Sequence, residues 1–253
     1  MKLRFLGTGT SNGVPVIGCD CEVCRSNDSR DKRLRTSALL EVEDTRILID
    51  CGPDFRQQIL PIHFRKIDGV LITHIHYDHV GGIDDLRPYC KLGDVDLYAN
   101  ESTCLGLRHN LPYCFADHLY PGVPKLNLHS IEAHKLLKIG GVEVMPFEVM
   151  HDELPILGYR VGKLAYITDM KTISSSELKY LEGVETLVVN ALRWEREHHS
   201  HQLVPDAIAF SKVVGAKTTY LTHLTDKIGL HQEASKRLPP NVFLAYDGLV
   251  LDV

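Results

Sequence analysis

Short runs of β-branched and aliphatic residues recur along the chain. They span Leu3–Leu6, Ala38–Val42, Arg46–Ile49, Gly69–Thr73, Asp96–Ala99, Val142–Phe147, Leu164–Thr168, Thr186–Val189, Thr218–Leu221, Val242–Ala245 and Leu249–Leu251. Each is bounded by Gly, Asp, Asn or Pro, which predicts strands closed by turns. Helical spacing is clearest over Leu203–Val214, where Val204, Ala207, Ile208, Val213 and Val214 can share one face. Pro205 suits the first turn of that helix. Shorter helices are predicted just after His79, over Ser176–Leu181 and over Leu230–Leu238. Strands dominate the first half and alternate with helices in the second, the order of layered sheets covered by helices. The stretch Leu86–Pro124 is less regular and reads either as a cap or substrate loop or as an irregular connection. Tyr246-Asp247-Gly248 reads as a turn between the last two strands.

With 253 residues, the chain can bury a sizeable core and reads as a single domain over 1–253. A net charge of -5 gives no global basic field, so there is no strong nucleic-acid signal. No apolar run approaches the length of a membrane span, and Leu3-Arg4-Phe5-Leu6 is too short for the apolar core of a signal peptide. Together these point away from the membrane and toward the cytoplasm. Three of the seven cysteines form Cys19-Asp20-Cys21-Glu22-Val23-Cys24. Without an export signal, that cluster reads as metal binding before disulfide. Cys51, Cys90, Cys104 and Cys114 read as buried small residues.

The 14 histidines are the unusual count, and they cluster. The densest group is His74-Ile75-His76-Tyr77-Asp78-His79. It follows the buried-strand pattern Val70–Thr73. His74 and His76 lie two apart, so an extended chain can project them the same way. Asp78 and His79 fall where the chain turns into a helix and can point at a neighbouring position. Imidazole and carboxylate together suit zinc, manganese or iron, so one segment can serve two adjacent metals. Gly81-Gly82 follows at once, either for close backbone approach or as an ordinary turn.

These residues resemble the signature of the metallo-β-lactamase superfamily. The resemblance extends to His151 after Val142–Met150, Asp169 in Tyr166–Asp169, His223 in Tyr220–His223, and Asp50 in Ile47–Gly52. It implies an αββα sandwich, two mixed β-sheets flanked by helices, with two metals at one edge. One site would use His74, His76 and His151. The other would use Asp78, His79 and His223, with Asp169 bridging and Asp50 supporting from close by. Two such metals would share a hydroxide as nucleophile.

Two further stretches narrow the resemblance. Leu6-Gly7-Thr8-Gly9-Thr10-Ser11-Asn12-Gly13-Val14-Pro15, with the cysteine cluster after it, resembles the PhnP-like phosphodiesterases, whose known member opens a ribosyl 1,2-cyclic phosphate. The resemblance implies a structural zinc on a loop at about 13–30, held by Cys19, Cys21 and Cys24. The fourth ligand position of that family, a histidine, is Asp226 here, with His231 in reserve. It also places His201 beside the substrate. In Arg193–His201, His201 can bind phosphate or protonate the leaving oxygen, and His198 and Arg193 can hold the phosphate. Asp78 and His201 are the expected catalytic pair.

The expectation is a metal-dependent phosphodiesterase. It would hydrolyse a small, cyclic phosphodiester with two active-site zinc or manganese ions and a structural zinc. A homodimer is suggested by resemblance alone. The competing readings are an RNA-processing nuclease or a thioesterase on the same fold, or a metal-containing binding protein without turnover.

Overall fold

The computed structural model describes residues 1–116, 118 and 120–253. Its first sheet contains β1 (Lys2–Gly7), β2 (Ser37–Val42), β3 (Thr45–Ile49), β4 (Gly69–Leu71), β5 (Val95–Ala99), β6 (Leu126–Ser130) and β14 (Val250–Asp252), in the order β14-β1-β2-β3-β4-β5-β6. Its second contains β7 (Leu137–Ile139), β8 (Val142–His151), β9 (Leu154–Val161), β10 (Leu164–Tyr166), β11 (Thr186–Asn190), β12 (Thr218–Thr222) and β13 (Val242–Leu244), in the order β13-β12-β11-β10-β9-β8-β7. Both sheets are mixed. β1 to β3 pair antiparallel and β3 to β6 parallel. β7 to β10 pair antiparallel and β10 to β13 parallel.

Alternation along the strands explains the layering. In β3, Ile47 and Ile49 face the second sheet and join Tyr159, Tyr166 and Val188 in the inter-sheet core, whereas Leu48 faces the opposite side. There it meets Ile83, Leu86 and Leu107 of the outer helical layer. In β11, Val188 points inward while Leu187 and Val189 pack beneath Val204, Ala207 and Phe210. Strands buried on both faces read as near-continuous apolar runs. Each large side chain so buried stabilises the fold by about 1.5–3 kcal/mol.

The helices are α1 (Glu22–Arg25), α2 (Phe55–Ile59), α3 (Tyr77–Val80), α4 (Glu101–Asn110), α5 (Val204–Val214) and α6 (His231–Ser235). α5 matches its expected span. It carries Pro205 in its first turn and ends on Gly215, whose φ of +72° makes the left-handed cap. Leu86–Pro124 is more regular than its composition suggests. It completes a 3-10 run over Ile83–Leu92 and contains β5 and α4; Leu86 and Leu107 pack beneath the first sheet, and Gly106 abuts Ile75 in the histidine segment. Tyr246–Gly248 is not a hairpin turn, because β13 and β14 lie in different sheets. Asp247 instead accepts from the Thr8 hydroxyl at 2.7 Å and the Leu34 amide at 2.7 Å, fastening the crossover to the N-terminal loop. No helix among the described residues is long and apolar enough to cross a membrane.

Candidate metal centre

Four chain segments deliver the candidate ligands to one edge of the sandwich. His74 to His79 follow β4, His151 ends β8, Asp169 follows β10 and His223 follows β12. Donor atoms of His74, His76 and His151 lie within 4.8 Å of one another, and so do those of Asp78, His79, Asp169 and His223. Asp169 also groups with His151 and His201, which ties the two sets together. His76 is exposed and the other six residues are buried.

The supporting contacts set which ring nitrogen faces inward. Asp50 is fully buried, and its Oδ2 lies 2.7 Å from His79 Nδ1. Its carboxylate also accepts from the Thr73 amide and hydroxyl, at 2.8 Å and 2.9 Å. His79 Nε2 is therefore directed at Asp169 Oδ2 (3.2 Å) and Asp78 Oδ2 (3.3 Å), yet has no aligned hydrogen-bond partner. His223 Nε2 is the same: it lies 3.1 Å from Asp169 Oδ1 and 3.5 Å from Asp78 Oδ2 without a hydrogen bond. His151 donates from Nδ1 to the Ser200 carbonyl at 2.9 Å, leaving Nε2 for the cluster. Buried polar atoms are normally partnered, so several that converge without partners mark a place for a cation.

The backbone is bent to the same end. Asp50, Asp169 and His223 each follow a strand, with φ of +58°, +56° and +57°. Asp and His tolerate the left-handed region better than most residues, at roughly 1–2 kcal/mol, and such strain collects at functional sites. Asn190 pins the bend after Asp169: its side chain accepts from the Met170 amide (2.8 Å) and donates to the Met170 carbonyl (2.9 Å). Tyr159 donates to the Ile72 carbonyl at 2.6 Å and so clamps the histidine segment to the second sheet. Gly81 and Gly82 answer to close approach: a Cβ on Gly82 would strike the Gly52 carbonyl, and one on Gly81 the Tyr77 ring.

Electrostatics agree with the geometry. Burial disfavours charge on every group here, and it holds His74 neutral well below the ordinary histidine range. Burial would lower His79 and His223 too. Asp169 and Asp78 override it, with Asp50 adding to the effect on His79, and raise His79 well above its ordinary value and His223 to about 9. Burial opposes ionisation of Asp169 in turn, but His223 and His79 hold it ionised. The carboxylates thus draw positive charge into a dry site, which is what divalent cations supply. The donor set fits them: imidazole nitrogens and carboxylate oxygens in two adjacent groups joined by one aspartate.

The sequence pattern of the beta-lactamase superfamily domain matches residues 45–224. The solved structure of a diphosphatase from the PhnP family superposes with a TM-score of 0.92 at 38% identity, covering 99% of this chain and 96% of that one. The chain belongs to the PhnP family of the beta-lactamase superfamily. A Porphyromonas gingivalis protein named an octanoyltransferase is 44% identical over 98% of the chain, which spans only 51% of that protein. A ribonuclease Z of Thermosynechococcus vestitus is 28% identical over 64% of this chain and 36% of its own. The chain thus spans about half the length, or less, of these two curated relatives.

In this PhnP-family chain, the loop between β11 and α5 forms one wall of the site. An open cleft of about 380 Å³ lies over the centre, lined by His76, His151, His198, His199, Asp152 and Glu153. Larger clefts beside Gln58 and beside Phe243 hold none of the clustered donors. His201 is buried, and its ring is stacked on that of His223 at 4.9 Å. Burial and the nearby His223 lower its pKa to about 3, so it is neutral near pH 7. His198 lines the cleft. Arg193 does not line the cleft: Nε donates to the Arg196 carbonyl (2.9 Å) and Nη2 to the Glu197 carbonyl (3.5 Å).

The cysteine cluster assembles from 207 residues apart. Sγ of Cys19, Cys21 and Cys24 and a carboxylate oxygen of Asp226 lie within 4.8 Å of one another. Cys21 Sγ accepts from the Cys24 amide, and Cys24 Sγ from the Val16 amide, both at 3.4 Å. These backbone donors fix the two sulfurs facing the cluster, while burial pushes the Cys24 thiol up to about 11. Asp226, not His231, is the fourth group. His231 belongs to a different network: its amide donates to Asp31 at 2.6 Å, and its Nδ1 faces Arg33 at 3.3 Å. The signals for Asn190, Ser200 and Tyr159 were not visible in the sequence, since each acts on a partner 20 to 87 residues away.

Proposed function

We propose that this protein is a dinuclear metal phosphodiesterase acting on a small phosphodiester, with a cyclic phosphate the preferred class. The observation that carries the reading is the pair of adjacent donor groups joined through Asp169 beneath an open cleft. One ion would be held by His74, His76 and His151, the other by Asp78, His79 and His223, with Asp169 shared. Divalent ions there would supply Lewis acidity and an activated water at neutral pH. The protein's own groups then have defined tasks. Asp50 orients His79, and Ser200 orients His151. His198 lines the cleft where a phosphate oxygen or leaving group would lie, able to donate a hydrogen bond, and His201 sits buried behind it against His151 and His223. Cys19, Cys21, Cys24 and Asp226 would hold a separate zinc with a structural task, since they offer a closed four-ligand set.

Small substrates are favoured over polynucleotides by charge. The net charge is -5, and Asp152 and Glu153 line the cleft, so a long polyanion meets repulsion beyond the reacting phosphate. The test is turnover of bis(p-nitrophenyl) phosphate, 2′,3′-cyclic nucleotides, a ribosyl cyclic phosphate, a precursor tRNA and an octanoyl thioester by zinc- and manganese-loaded protein. The expected result is cleavage of the small phosphodiesters, abolished by His151→Ala. Fully loaded protein that cleaves only the tRNA would transfer the assignment to the nuclease class carried by the ribonuclease Z relative. Turnover of the thioester alone would transfer it to acyl chemistry.

A further inference from the structure

We propose that Arg193 is a positioning residue, which holds the 196–201 loop so that His198 presents its Nε2 proton to the substrate. The proposal rests on the phosphodiesterase reading for its kinetic consequences, but its structural consequences stand apart from it.

The loop leaves and returns through one stem. The Leu192 amide bonds the Gln202 carbonyl at 2.9 Å, and the Val204 amide bonds the Arg193 carbonyl at 2.9 Å. Between them the chain reverses at Arg196, whose φ of +63° lies in the left-handed region. A non-glycine residue needs outside support to stay there. The Arg193 guanidinium supplies it across the reversal, donating to the carbonyls of Arg196 and Glu197. The planar fork reaches the two successive carbonyls from two separate nitrogens, whereas a lysine ammonium would have to reach both from one atom. Lys171 adds a weaker tether, its Nζ 3.4 Å from Glu197 Oε1.

The held loop then fixes one imidazole. His198 Nδ1 lies 3.3 Å from the Ser200 amide and 3.2 Å from the Ser200 hydroxyl, and the amide can only donate. A neutral ring that accepts at Nδ1 carries its proton on Nε2. That leaves a donor on a ring lining the cleft beside His76 and His151. The Ser200 carbonyl meanwhile receives the His151 Nδ1 proton. One loop thus sets the proton position on a substrate-facing histidine and on a candidate metal ligand. Arg193 reaches both through backbone, not through the substrate.

The test combines kinetics with two readouts that need no turnover. Arg193→Ala, Arg193→Lys and His198→Ala are compared, with Arg193→Ala/His198→Ala as the double variant. Bis(p-nitrophenyl) phosphate is the substrate. Arg193→Ala should lower kcat about tenfold to a hundredfold with KM changed less than about threefold and metal content unchanged. Arg193→Lys should recover little of the loss. The double variant should be no worse than His198→Ala, because the two act as one unit. Trp194, the sole tryptophan, sits at the loop base with Nε1 bonded to the Ile228 carbonyl at 2.9 Å and should report loosening as stronger acrylamide quenching. Nitrogen-15 shifts of His198 should move from the Nε2–H form toward a mixture in Arg193→Ala. A rise in KM with multiplying effects in the double variant would mean that Arg193 binds phosphate directly, and would overturn the proposal. So would unchanged quenching and unchanged His198 shifts. If the wild type cleaves no phosphodiester, the enzymatic reading falls, while quenching and shifts still decide the role of Arg193.

Discussion

Asp50 shows how much one buried carboxylate settles. It receives two hydrogen bonds from Thr73 and orients His79, so its replacement acts on the metal through another side chain. Asp50→Asn should weaken metal retention about 10- to 100-fold, the usual cost of losing such a support, measured by competition with a chromophoric chelator. His231 and Asp247 make opposite contributions to acid stability. Burial, with Arg33 and Arg30 nearby, lowers the His231 pKa to about 4. The unfolded chain therefore binds the proton first, and the contribution of His231 is whole above about pH 6.5 and lost as pH falls toward 4. Burial raises Asp247 to about 6, so its contribution is whole below about pH 4 and lost as pH rises through 6. His231→Gln should flatten the fall in unfolding free energy from urea titration between pH 6.5 and 4, by about 1 kcal/mol after solvent screening. Asp247→Asn should steepen it.

At the scale of elements, two of the ligands, Asp169 and His223, sit in left-handed turns just past strand ends. Asn190 keeps one of those turns in place. Asn190→Ala removes two buried hydrogen bonds to Met170 and strands its backbone groups, which should cost about 2–4 kcal/mol in urea unfolding and loosen Asp169. Much of this layer was legible beforehand. The histidine segment is contiguous, and strand patterns before His151, Asp169 and His223 marked where ligands could emerge. β9 was hidden, because Pro155 and Gly158 break a strand pattern. Gly158 pairs with Phe147 across the ladder, and the Phe147 ring fills the space a side chain would take. Gly158→Ala should therefore lower stability by about 1–3 kcal/mol through overpacking, read as a lower melting temperature. α4 was missed inside an irregular composition; its Asn100 cap accepts from the Thr103 amide at 2.9 Å, a local signal that was present. The Arg193 loop could not be read at all, since the same residues serve equally well as phosphate ligands until the carbonyls they meet are known.

Across the whole molecule, the two candidate metal positions are built differently. The histidine–aspartate centre joins both sheets, drawing His74 to His79 from the first and His151, Asp169 and His223 from the second. The cysteine centre joins the N-terminal loop to the segment just after β12. Both lie near the β12 terminus, yet they share no ligand, so they should empty independently. Elemental analysis of metal per chain in wild type, Asp169→Ala and Cys24→Ser, with phosphodiester turnover on the same samples, tests the dinuclear centre most directly. The expected result is about three ions in wild type, about one and no turnover in Asp169→Ala, and about two with turnover kept in Cys24→Ser. Asp169→Ala protein that retains its metal and still cleaves the substrate would contradict the assignment of the centre.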